Sequence, residues 1–283
     1  MKTTIKILII VLVAAGIAAA IWAFFKRIND GDTSSIATTE YEKRIEARVS
    51  SDIADKSYTS ARASFDNIIA DIVTESKIET TDGNHVITAD EFENCQKIAV
   101  TPYLPVFKSY ASSYFNRSNW DNKELDDMSS HAKQLLGLNG AKDDSDLNRI
   151  VSDVNDYYAA LKTVRLSKSV TNVADARRIM NDANGFKRAP LNNNTDLMTK
   201  LNEVPSNVRK SIVNSIGYAI NNLPTNPYSY KSYDDWYGRF ERIKKRIDEY
   251  TNAFGRDGTL ESYRTSLNKA DSRIEDHFLS IAQ

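Results

Sequence analysis

The chain has 283 residues, 41% hydrophobic and 27% charged, with 37 basic against 38 acidic side chains and a pI near 6.3. That balance excludes a nucleic-acid binder that works by displacing counterions from phosphates, which needs an excess of Lys and Arg. A single cysteine, Cys95, excludes an intramolecular disulfide, and the scarcity of Gly (10) and Pro (6) suits helices joined by polar turns better than a β-rich fold.

The first element in the chain is the most apolar. Residues 7–25, ILIIVLVAAGIAAAIWAFF, carry no charged or strongly polar side chain. At 1.5 Å rise per residue such a run crosses a hydrocarbon core of about 30 Å. Lys6 precedes it, Lys26 and Arg27 follow it, and Trp22, Phe24 and Phe25 sit at one end where an aromatic belt would place them. A cleaved signal peptide is the competing reading, with Ala18, Ala19 and Ala20 as small residues. The run is long for such a peptide, however, and cutting there would leave IWAFF at the new N-terminus. Residues 1–27 are therefore read as an uncleaved single-pass transmembrane anchor with flanking charges. Lys2 and Lys6 favour a cytoplasmic N-terminus, whereas Lys26, Arg27, Lys43 and Arg44 pull the other way. Long downstream domains translocate largely regardless of their charge, so the C-terminal domain is expected on the extracytoplasmic side, periplasmic or at the cell surface.

Residues 28–39, ending NDGDTSSIATT, lack large apolar groups beyond Ile28 and Ile36 and read as a flexible tether. Residues 40–283 form the helical domain. From 40 to about 77, Tyr41, Ile45, Val49, Ile53, Tyr58, Phe65, Ile69 and Ile72 recur at helical spacing, which predicts one long stalk-like helix.

The next stretch, TTDGNHVITADEF at residues 80–92, has two readings. Asp82-Gly83 marks a turn between short arms at 78–80 and 85–87, and Thr88 with Glu91 forms a capping box for the following helix. The same residues resemble the calcium loop of the EF-hand family over about a dozen positions and nowhere else in the chain. The resemblance implies metal ligation by Asp82, Asn84, the Val86 carbonyl, Thr88 and Glu91. Two departures weaken it. Thr80 replaces a carboxylate at the first loop position, and His85 stands where glycine makes the sharp turn. Only Asp82 and Glu91 would bring formal charge, too little for tight calcium binding. The turn-and-cap reading is preferred, with no cofactor expected and calcium as the alternative.

A helix follows Thr88 and is expected to end at Pro102, where Thr101 caps another carrying Tyr103, Val106, Phe107, Tyr110 and Tyr114 on its apolar face. Further helices are expected over 122–136 and from 146 to about 166, the latter capped by Ser145 with Leu147, Ile150, Val151, Val154, Tyr158 and Leu161 on one stripe. Thr171 opens a shorter helix closed by Asn184-Gly185. A short helix reaches Val204 before Pro205, and another runs to Leu223 before Pro224. Two more, over 233–253 and 260–281, complete an all-α domain. It is read as an elongated multi-helix bundle, undivided or split near 120 or 190.

The aromatic segment YSYKSYDDWYGRF, residues 228–240, is the best candidate binding surface. Tyr233, Trp236, Tyr237 and Phe240 continue into Ile243 and Ile247 at helical spacing and read as core. Tyr228 and Tyr230 fall outside that stripe and are the candidate contacts. No HExxH, CxxC, GxSxG or phosphate-loop motif is present, and Cys95 reads as an inert buried thiol. The expectation is a membrane-anchored extracytoplasmic helical domain for protein–protein interaction or scaffolding at a cell envelope, with the membrane, a protein partner and a second copy as its contacts. The alternatives are a cell-wall hydrolase with an unidentified acidic site and a calcium-responsive surface module.

Overall fold

The computed structural model describes residues 38–54, 56–79 and 87–282. The expected anchor at 7–25, nearly all of the tether, and the loop at 80–86 lie outside them. Among the described residues every long element is a helix, so the fold is all-α, and no helix is long and apolar enough to cross a membrane.

The expected long first helix is two helices, α1 (Thr38–Asp52) and α2 (Tyr58–Glu75). The apolar stripe steps by four through Tyr41, Ile45, Val49 and Ile53, then breaks phase before Tyr58. There Ser57 takes an extended conformation with ψ of 151°. A continuous helix would turn the two stripes to different faces. Folding back lets both bury Ile45, Ile53, Phe65, Ile68 and Ile72. The pair is antiparallel, with Arg48 to Asp71 at 2.7 Å and Arg44 to Glu75 at 3.5 Å.

Helix α3 (Ala89–Phe115) runs through both Pro102 and Pro105, and α7 (Thr195–Asn221) runs through Pro205. The expected breaks at Pro102 and Pro205 are therefore absent. Each interior proline removes one backbone donor and costs roughly 3 kcal/mol. Burial of Val100, Tyr103, Leu104 and Phe107 around the first pair, and of Leu201, Val204 and Val208 around the last, outweighs that loss.

Helix α4 (Asn122–Leu136) begins and ends where the spacing places it. The cap of α5 (Ser145–Ser167) is Asp144 rather than Ser145. Its Oδ1 accepts from the N–H groups of Asp146 and Leu147, each at 3.0 Å, while Lys108 Nζ lies 2.6 Å from its Oδ2. The buried stripe of α5 also shifts by one residue, to Tyr157 and Ala160 in place of Tyr158 and Leu161. Helix α6 (Val173–Gly185) is capped by Asn172, whose Oδ1 accepts from Asp175 N at 2.8 Å. It ends on Gly185 itself, which is not left-handed, and the following Phe186 is right-handed at φ −82°. Asn194 caps α7. Helices α8 (Tyr233–Phe254) and α9 (Gly258–Ala282) are separated by Gly255, whose φ of 86° suits glycine.

The chain forms two compact units. The first holds the described residues through Ser113 together with Asp127–Val151; the second holds Tyr114–Asp126 and the residues from Ser152 onward. In the second unit α7, α8 and α9 pack on one another with alternating direction, fixed by Arg246 to Ser215 at 2.8 Å and Arg264 to Asp248 at 2.6 Å. Gly217 of α7 is buried, and a Cβ there would lie 2.7 Å from Tyr263 Oη of α9, so its missing side chain leaves room for the end of that tyrosine ring.

Burial by itself would raise the Asp144 pKa. The Lys108 ammonium and the two backbone donors outweigh it and hold the carboxyl below its ordinary value. Its contribution is therefore present above the unfolded carboxylate pKa and is lost as pH falls through the folded one. Asp144→Ala should lower stability by about 1–2 kcal/mol at pH 7 in chemical denaturation. The gap to wild type should narrow below about pH 4.

Candidate functional site

Of the residues singled out for metal, Asp82, Asn84 and Val86 lie outside the described residues. Thr88 and Glu91 are described, and they form the capping box. Glu91 Oε2 accepts from Thr88 N at 2.6 Å, and Thr88 Oγ1 accepts from Glu91 N at 3.3 Å. Glu91 is 1% exposed, and its second oxygen, Oε1, is buried without a hydrogen-bond partner among the described residues. One carboxylate oxygen is thus committed to starting α3. Among the described residues no group of three His, Cys, Asp or Glu side chains is placed to hold a metal ion.

The aromatic segment divides sharply. Asn226 opens a single 3₁₀ turn, Pro227–Ser229, by accepting from Tyr228 N at 3.1 Å. Tyr228 is 82% exposed and meets the His277 ring edge-on, with centroids 4.8 Å apart. Tyr230, offered with it as a contact, is 7% exposed. Its hydroxyl donates to Pro224 O at 2.5 Å, its ring packs edge-on against Trp236, and the Arg239 guanidinium lies over its face. Tyr230 therefore pins the loop to the second unit, and of the two only Tyr228 presents its ring to solvent.

Behind this loop, the core reading holds at Trp236, Phe240, Ile243 and Ile247, which are all buried, while Tyr237 is 42% exposed. Asp271 of α9 accepts from Trp236 Nε1 at 2.8 Å and from Tyr233 Oη at 3.1 Å on the same oxygen. That convergence could not be read from spacing, because Asp271 lies on the next helix and resembles any other acid on a polar face. The juxtaposition of His277 with Tyr228 is equally non-local.

Cys95 and one member of each acid pair serve the fold. Cys95 is fully buried, and its pKa is pushed up to about 12, by burial first and then by the charges of Glu42 and Glu91. That thiol is unreactive at neutral pH. Asp126 accepts from Tyr158 Oη at 2.8 Å, Asp144 caps α5, and Asp235 faces Arg239 at 3.4 Å. Compared with protein-family models, curated proteins and solved structures, the chain finds no match.

The two tyrosines should respond differently to substitution. Tyr230→Phe removes the bond to Pro224 O from a buried site and should cost about 1 kcal/mol. Tyr228→Ala should change stability by less than about 0.5 kcal/mol. Thermal denaturation of the two variants side by side checks this, and equal losses would contradict the assignment.

Proposed function

We propose that the protein is a single-pass, membrane-anchored helical module that presents its domain outside the cytoplasm for protein–protein interaction or scaffolding at the cell envelope. The observation that carries this reading is the uncharged run at 7–25, flanked by Lys6 and by Lys26 and Arg27, ahead of an all-helical domain. Supporting it, Asp126, Asp144 and Asp235 are engaged in a side-chain hydrogen bond, a helix cap and an ion pair, and the one thiol is held in the core. The exposed rings Tyr218, Tyr228 and Tyr237 give the surface of the second unit flat apolar contacts with polar tips, the kind of side chain enriched where proteins meet.

Protease treatment of sealed membrane vesicles of both orientations tests the reading. In right-side-out vesicles the helical domain should be digested and a short fragment containing residues 7–25 should stay with the membrane. Digestion confined to inside-out vesicles would overturn the topology, and release of the intact chain by alkaline carbonate would overturn the anchor.

A further inference from the structure

His131 carries no local sequence signal, yet it is buried within the first unit. It is 2% exposed on α4, and three aromatic rings surround its imidazole edge-on. Phe107 lies at 5.2 Å, Tyr103 at 5.6 Å and Phe65 at 6.2 Å between centroids. Both ring nitrogens are engaged. Nδ1 is 3.3 Å from Gln134 Oε1, and Nε2 is 2.8 Å from Tyr103 Oη.

These partners select the tautomer of the neutral ring. An amide oxygen only accepts, so Nδ1 carries the proton, and Nε2 must then accept from the Tyr103 hydroxyl. Tyr103 interacts in turn with Tyr58, whose oxygen accepts from Arg62 Nη1 at 3.2 Å. A guanidinium only donates. Arg62 thus donates to Tyr58, and on the histidine side the Tyr103 hydroxyl donates to Nε2 of the neutral ring while Nδ1–H donates to Gln134. A second proton on the imidazole would meet a hydroxyl already donating to it, in a wall of aromatic carbon. The charged group that reaches it from α2 is Arg62, itself 3.8 Å from Asp66. Helix α3 faces it with the uncharged Tyr103 and Phe107, and its own helix with Gln134.

We propose that His131 is an acid-sensitive latch, neutral in the packed first unit, whose protonation destabilises the packing of α4 against α2 and α3. The electrostatics agree in sign. Burial first and the Arg62 charge second lower the imidazole pKa from 6.5 to about 4, against the opposing bond to Gln134. A lowered histidine pKa means that the unfolded chain binds the extra proton first. The stabilisation is complete above about pH 6.5 and is lost progressively as pH falls toward 4.

Urea unfolding of the full chain at pH 7.5 and 4.5, for wild type and His131→Gln, tests the latch. The wild-type unfolding constant should rise on acidification by on the order of 50-fold more than that of the variant. An equal rise in both proteins would overturn the proposal. Should His131→Gln fail to fold, histidine-labelled wild type and Arg62→Met, titrated by NMR in the native state, decide the question. His131 should remain neutral to about pH 4 in wild type and titrate at higher pH without the Arg62 charge. Titration of His131 near 6.5 in the folded wild type would overturn it.

Discussion

A buried aromatic side chain with a polar tip is costly to leave unpaired, and pairing such tips across helices sets the register of the helical units. Apolar stripes alone let helices slide and rotate against one another, because contact between hydrocarbon surfaces is not directional. The tips are directional. Trp236 meets Asp271 across α8 and α9, and Tyr103 meets His131 across α3 and α4. Tyr114 both donates to Asp121 O and accepts from Asp121 N, closing the turn ahead of α4, while Trp120 Nε1 donates to Arg117 O in the same turn. With one buried cysteine, these bonds do the orienting that crosslinks do in disulfide-rich domains.

Tertiary burial also explains why local rules failed at particular places. A proline is a strong stop signal in isolation, yet Pro102, Pro105 and Pro205 all sit inside helices. At each, the residues on either side belong to one continuous buried stripe, and ending the helix would expose it. The reverse failure occurs at Ser57. Nothing in its vicinity is a proline or glycine, but the stripe changes phase there and the chain folds back. Caps failed in a subtler way. Asp144 and Asn172 outcompete the neighbouring Ser145 and Thr171 because their side-chain oxygens reach two and three residues onward to free N–H groups.

What periodicity records is which residues are buried, so the all-α class, the span of α4 and most of the core stripes were legible. What it does not record is which partner a side chain meets from another helix. Tyr230 illustrates the limit. Its position in a Pro-flanked loop marks it as exposed, and only Pro224, Trp236 and Arg239 converging on it show otherwise. Thr88 and Glu91 show the opposite case, a reciprocal cap whose two members are three residues apart and therefore readable directly. His131 was the largest omission, since a lone histidine on a helix carries no local mark of being enclosed by rings from two others.

These polar tips, rather than apolar area alone, hold the helices in register. A double-mutant cycle combining Trp236→Phe with Asp271→Ala in the full chain, read by equilibrium denaturation, tests it most directly. Each single change should be destabilising, and the double variant should lose less than their sum by about 1–2 kcal/mol. Additivity within about 0.5 kcal/mol would mean that the indole and the carboxylate act independently, and would contradict it.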